Sequence, residues 1–343
     1  MALFTPKERL LRVLRKETVD RPPAICIGGM MNAAIVDIMK STGHTLPEAH
    51  FDDGLMADLA TDVHDFTGFE NLGIPFCMTV EAEFLGSRID FGSLSCEPKI
   101  AAEAFPSVSR VAFFNLNHLN GNGRIKIVMK AINRLARAHS NVPVIASLTG
   151  PISTAASFVD PMTFLKELRK NPDGAHRTLS YVTDFLRLYA EMLLDNGADV
   201  IGIGDPTATG EILGPSMFDE YAVPYLNKLI DRVHLLNAPV IVHICGRLNK
   251  VRHLIPKLHG DAISTDAMVS LRGLKKEFPW LTTMGNVSTY LLQSGAPEKV
   301  ARCTEKLVEQ GVDIISPACG LSTSSSLGNI RALTDTVRKE RQC

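Results

Sequence analysis

His243 and Cys245 stand two residues apart at the end of an apolar run, Val240-Ile241-Val242-His243-Ile244-Cys245-Gly246. On a β-strand, residues i and i+2 point to the same face, so this run presents an imidazole and a thiol side by side. That pair is half of a soft-metal site. A second run, Val312-Asp313-Ile314-Ile315-Ser316-Pro317-Ala318-Cys319-Gly320, has the same form and offers a third donor at its end. One nitrogen and two sulfurs suit Zn²⁺, and three protein ligands with an open fourth place describe a catalytic rather than a structural site. Zinc with two thiolate ligands is electron-rich and a modest Lewis acid, better suited to holding a sulfur or an ether oxygen than to splitting water. A thiol bound there loses its proton at neutral pH, so the pattern predicts chemistry on sulfur or on methyl groups. Taken singly, Cys245 and Cys319 read as small buried residues and His243 as a hydrogen-bonded core histidine. The coincidence of all three at strand ends of one sense points to a site.

Those donors meet only if the fold gathers its strand ends. Apolar, strand-like runs recur at 24–27, 74–80, 142–150, 198–206, 240–246, 262–266, 281–286 and 312–320. Helical patterns separate them, at about 32–42, 52–67, 124–139, 161–170, 172–196, 216–236, 247–258, 270–277 and 297–310, and a last one spans about 327–340. Eight apolar strands alternating with amphipathic helices predict a parallel sheet closed into a (β/α)8 TIM barrel, with a doubly wound open sheet as the alternative. Thr5-Pro6-Lys7-Glu8 carries a capping box and starts a helix within an N-terminal extension over 1–20. Between 81 and 105 the pattern changes to short pieces broken by Gly86 and Gly92, which reads as a hairpin insertion. The whole chain, 1–343, is expected to be one barrel domain.

A barrel places reactive side chains at the C-terminal ends of its strands. Gly29, Glu81, Glu83, Thr149, Asp205, His243, Cys245, Asp266, Asn286 and Cys319 would then ring one mouth. Asp205 and Asp266 would serve as acceptors behind the ligands or as a proton relay, and Glu83 or Glu81 as a fourth ligand or base; each also reads as a helix cap or loop carboxylate. Gly28-Gly29 allows close backbone approach, and Met30 and Met31 can line an adaptable apolar pocket. Cys26 and Cys77 read as mid-strand core, while Cys96, Cys303 and Cys343 lack partner spacing. The remaining histidines, among them His50 and His118, read as surface or structural.

Bulk properties exclude several partners. With a net charge of −1 the chain has no overall cationic field to draw it to nucleic acid or an anionic membrane. No apolar run approaches the roughly 18 residues of a membrane span. Seven cysteines, an odd number, with no signal peptide in view, predict free thiols in a reducing cytoplasm. Gly202-Ile203-Gly204 lacks the third glycine of a dinucleotide fingerprint.

With these residues in hand, the chain resembles the zinc-dependent corrinoid methyltransferases that share the uroporphyrinogen decarboxylase fold. The resemblance runs over nearly the whole chain. It includes Pro47-Glu48-Ala49-His50, Pro75-Phe76-Cys77-Met78-Thr79-Val80 with Glu83, Gly197-Ala198-Asp199-Val200-Ile201 with Asp205-Pro206, His243-Ile244-Cys245-Gly246, and Cys319-Gly320. It implies a cytoplasmic TIM-barrel enzyme with zinc on His243, Cys245 and Cys319, and a partner protein that carries a cobalamin-type corrinoid over the mouth. Gly28, Gly29, Met30 and Asn286 are the residues expected to face that cofactor.

Two directions of transfer occur in such a family: from methylcobalt to a thiol such as coenzyme M, or from a small methyl donor such as a methoxyaromatic ether to reduced cobalt. Family members that act on coenzyme M carry polar residues after the first strand, where this chain has Gly28-Gly29-Met30-Met31-Asn32. That apolar replacement speaks against that acceptor and leaves room for a methoxyaromatic or other apolar methyl compound. A decarboxylase acting on a tetrapyrrole is the rival within the fold, but it needs arginines after strand one, and residues 24–38 contain none. A non-catalytic zinc- or corrinoid-binding protein is the rival from another class.

Overall fold

The computed structural model describes residues 4–116 and 123–339; His118 and Cys343 lie outside the described residues. Helix α1 (Pro6–Leu14) starts as its sequence predicts. The Thr5 hydroxyl accepts from the Glu8 N–H, and the Glu8 carboxylate accepts from the Thr5 N–H. It is followed by α2 (Val36–Thr42), α3 (Asp53–Thr67), β1 (Leu72–Ile74), α4 (Val80–Phe84), and an antiparallel hairpin of β2 (Arg88–Asp90) and β3 (Lys99–Ala102). Then come α5 (Gly123–Ala138), β4 (Val144–Thr149), α6 (Pro151–Phe158), α7 (Pro161–Lys170), α8 (Pro172–Asp195) and β5 (Val200–Gly204). Next are α9 (Gly214–Met217), one π turn (Phe218–Ala222), α10 (Val223–Leu235), β6 (Val240–Ile244), β7 (Ala262–Thr265) and α11 (Leu271–Glu277). The chain ends with β8 (Thr283–Val287), α12 (Thr289–Ser294), α13 (Pro297–Glu309), β9 (Ile314–Pro317) and α14 (Leu327–Lys339). Proline opens α6, α7, α8 and α13, where its missing N–H costs nothing and its fixed φ suits the first turn.

Among the described residues, seven strands form one parallel sheet in the order β1-β4-β5-β6-β7-β8-β9. Residues 24–27 take the eighth place and close the ring. On one side the Ile25 N–H donates to Ile315 O at 3.0 Å, and the Ile315 N–H to Pro23 O at 2.9 Å. On the other, Glu70 N–H reaches Ala24 O at 2.8 Å and Gly29 N–H reaches Pro75 O at 2.7 Å. Between these two, the Asn71 side chain stands in for a strand, accepting from Cys26 N–H and donating to Cys26 O. The result is a (β/α)8 barrel. Its strands β4, β6, β7, β8 and β9 are buried along their whole length, as a sheet covered by helices requires. Helix α8 supplies much of that cover, burying Leu179, Val182, Leu186 and Leu193 at helical spacing, each worth about 2 kcal/mol.

Several boundaries differ from the expectation. The run 74–80 is not a strand. The ladder stops at Ile74 because Pro75 brings no N–H to continue it, and the chain leaves the sheet toward α4. Cys77 and Met78 therefore hang at the mouth rather than mid-strand. The stretch 81–105 does hold a hairpin, although its first residues are the end of α4. Helix α6 follows Thr149 in a stretch where no helix is expected from the sequence. The helix expected at 216–236 is interrupted by the π turn, and that at 247–258 shrinks to a 3₁₀ segment, Arg252–Lys257, with Pro256 inside. Among the described residues no helix is long and apolar enough to cross a membrane.

Candidate metal centre

Strand β6 carries His243 one residue before its end, and Cys245 is the first residue beyond it. Alternation along the strand puts both side chains on one face. Cys319 follows β9 by two residues. The barrel brings them together: His243 Nε2 lies 3.2 Å from Cys245 Sγ, the two sulfurs lie 3.5 Å apart, and all three donors fall within 4.8 Å of one another. A disulfide would need about 2.05 Å between the sulfurs. Ligand separations around a tetrahedral zinc-sized ion, with bonds of about 2.0 Å to nitrogen and 2.3 Å to sulfur, are roughly 3.5–3.8 Å. The observed spacing is close to that, so these three residues fit a soft divalent metal. His243 is fully buried, whereas Cys245 and Cys319 are half-buried and give the centre one accessible side.

The electrostatics agree. The hydrogen bond between Cys245 and Cys319, 3.5 Å long, pulls Cys319 down to about 4 against its burial. The same hydrogen bond, with burial and the nearby Cys319, Asp266 and Asp205 charges, pushes Cys245 up. A metal bound there would take both sulfurs as thiolates and displace their protons.

The other residues expected at the mouth take distinct places. Asp205 is fully buried and accepts from the Ile152 N–H, the Ser153 N–H and the Ser153 hydroxyl, capping the start of α6; burial pushes it up to about 6. Gly150 is glycine for this reason, since a Cβ there would lie 2.5 Å from the Asp205 carboxylate. Glu81 is buried too, accepting from the N–H and hydroxyl of Thr149, and burial raises it. Glu83 pairs with Arg124 at 2.5 Å. Asp266 is half-buried at the tip of β7 and near enough to Cys245 to act on its charge. Asn286 turns away to hold the loop after β7, donating to Asp266 O at 2.8 Å and Val269 O at 2.9 Å. Gly28 and Gly29 both have positive φ and lie against β1 and Ser147; a Cβ on Gly28 would sit 2.7 Å from the β1 backbone. Met30 lines both a small inner cavity, with Cys77, Thr149 and His243, and an open outer pocket floored by Cys319.

Three further residues were not singled out by spacing. Ser264, on β7, contacts His243 Nδ1 at 2.9 Å, and its hydroxyl points to Met31 Sδ at 3.9 Å. Ser264 was findable, because neighbouring parallel strands pair residue with residue and β7 follows β6. Arg124 donates to Cys77 Sγ at 3.2 Å and Thr79 Oγ1 at 2.9 Å, so Cys77 sits in a polar clasp. Glu97, from the hairpin tip, lines the outer pocket; burial and the Cys319 charge raise it, against a hydrogen bond from Asn32. Nothing in its sequence context announces that role.

A family model described as uroporphyrinogen decarboxylase (URO-D) matches residues 5–340. The methylcobamide:CoM methyltransferase MtbA of Methanosarcina acetivorans is 32% identical over 340 residues, covering 98% of this chain and 99% of its own. A uroporphyrinogen decarboxylase of Myxococcus xanthus is 24% identical over 301 residues, covering 82% and 80%. Among solved structures, a methyltransferase from Methanosarcina mazei superposes with a TM-score of 0.92 at 29% identity, over 98% of this chain and 99% of that one. The chain belongs to the uroporphyrinogen decarboxylase family and, within it, to the group of the corrinoid methyltransferases.

Proposed function

We propose that this chain is a zinc-dependent methyltransferase of a corrinoid system, with His243, Cys245 and Cys319 as the metal ligands and a small thiol as the methyl acceptor. The convergence of one nitrogen and two sulfurs at the barrel mouth carries the metal reading. The thiol rests on the relatives, whose names place coenzyme M as the acceptor of their reaction. Zinc, when bound, would lower the pKa of a coordinating thiol and keep it as the thiolate nucleophile.

The chain's own residues supply the rest. Cys245 and Cys319 bind a metal as thiolates, so uptake releases thiol protons and affinity strengthens with pH. The barrel and the buried side of His243 exclude water from behind the ligands. Asp266, the carboxylate near Cys245 with access to solvent, accepts the proton of the incoming thiol, while Asp205 holds α6 in place and Glu83 holds Arg124. The methyl group passes from the partner's corrinoid to sulfur: the carbon–cobalt bond breaks, its electron pair stays on cobalt, and the carbon–sulfur bond forms. The corrinoid protein approaches over the outer pocket, with Met30 at its edge.

The test combines metal analysis with the cobalt absorbance. About one zinc per chain is expected, and methylcobalamin should lose its methyl group to thiols in the presence of the protein. Full activity in a metal-free preparation overturns the metal assignment. Methyl transfer only from ethers to reduced cobalamin, with thiols inert, overturns the thiol as acceptor.

A further inference from the structure

We propose that Ser264 fixes the tautomer of His243, holding the proton on Nδ1 so that Nε2 keeps its lone pair for the metal. The inference rests on the metal reading of the triad. Strands β6 and β7 pair His243 with Ser264 directly, so the two side chains leave neighbouring backbones on the same face. Both are fully buried. Ser264 Oγ lies 2.9 Å from Nδ1, and its own hydrogen is directed to Met31 Sδ, 3.9 Å away. That leaves the oxygen's lone pairs for the ring.

A neutral imidazole carries one donor and one acceptor, so an N–H at Nδ1 forces the lone pair onto Nε2. Nε2 is the atom 3.2 Å from Cys245 Sγ. If Ser264 instead donated to Nδ1, Nε2 would carry the hydrogen and aim it at the sulfurs, closing the site to a cation. Met31 on the segment after the first strand position, Ser264 on β7 and His243 on β6 therefore form a relay of orientation. Ser264 is a positioning residue that touches neither substrate nor metal. The neighbouring Thr265 provides a built-in control, because its buried hydroxyl has no partner.

The experiment measures Zn²⁺ affinity by competition with a chromophoric chelator, alongside ¹⁵N spectra of histidine-labelled protein with zinc bound. Ser264→Ala should weaken zinc binding roughly 10- to 100-fold, as removal of such a partner does elsewhere. Thr265→Val should leave the affinity unchanged. In the unaltered protein, His243 should show a slowly exchanging Nδ1 proton and a metal-shifted Nε2. Wild-type affinity in Ser264→Ala, or a metal-shifted Nδ1 in the unaltered protein, overturns the inference. The spectra need no variant, so they decide the matter even if Ser264→Ala does not fold. A chain that binds no zinc at all overturns the metal reading and this inference together, whereas zinc binding without methyl transfer leaves the inference standing and removes only the proposed reaction.

Discussion

The barrel buries strong polar groups at both ends, and the two ends treat them differently. At the N-terminal ends of the strands, Glu70 accepts from Arg9, from both terminal nitrogens of Arg21 and from the Ala24 N–H, all within 3.0 Å. Arg9 spends its remaining donors on Asp20 and Phe4 O. Every charge there has its opposite, and the cluster locks α1 under the first strand position. At the C-terminal ends, His243, Cys245 and Cys319 point donor atoms at one another, with the two sulfurs 3.5 Å apart. The first arrangement is complete without any addition; the second becomes complete by taking up a cation. The contrast locates chemistry at one end of the molecule and stability at the other, as a TIM barrel leads one to expect.

That contrast can be broken experimentally. Cys319→Ala should abolish zinc binding and lower methyl transfer at least about a thousandfold, a loss of roughly 4 kcal/mol in transition-state stabilisation. Its metal-free unfolding midpoint in urea should stay near that of the unaltered protein. Glu70→Ala should do the reverse. Leaving Arg21 without its carboxylate and buried Arg9 with Asp20 alone should cost about 3 kcal/mol in urea unfolding, with the zinc content of the folded fraction preserved. A loss of zinc in Glu70→Ala would show that the two ends are coupled.

His50 sharpens the comparison, because it belongs to neither pattern. It is fully buried with no partner on either ring nitrogen, and burial, aided by the Arg124 charge, brings it down to about 4. Its folded pKa lies below the unfolded value near 6.5, so the unfolded chain binds the proton first. The neutral ring's contribution is present above pH 6.5 and lost as pH falls toward 4. Unfolding free energy should drop over that window by at most about 3 kcal/mol from this group. His50→Phe should flatten that part of the pH profile. The smallest effect is expected from Asn286→Ala, which frees the Asp266 and Val269 carbonyls. It should cost about 1–2 kcal/mol and speed amide exchange in the loop after β7, with zinc affinity unaltered.

Much of this was legible from residue types and their periods. The H-x-C pair needed only the two-residue repeat of a strand, and Cys319 needed only a second strand ending in the same sense. The capping box of α1 is a local signal and appears as read. What resisted was interaction across the chain. Residues 24–27 act as a strand position whose central bonds come from the Asn71 side chain, which no apolar pattern encodes. Asp205 is a mouth carboxylate by position, but the helical patterns leave out 151–158, so the helix start that it caps is out of view; Pro151 is the available sign. Glu97 lies near Cys319 only because the hairpin folds back over the sheet.

The one-sided access to the triad has a consequence for turnover. His243 is sealed from behind, and the outer pocket floored by Cys319 opens where the corrinoid partner would sit. Entry of the small thiol, delivery of the methyl group and exit of the thioether would all use that opening. On the proposed reaction the catalytic cycle is sequential: the thiol enters first, the partner closes the opening, and the product waits for the partner to leave. An excess of methylated partner would trap the enzyme with an empty thiol position, and the rate would fall as its concentration rose.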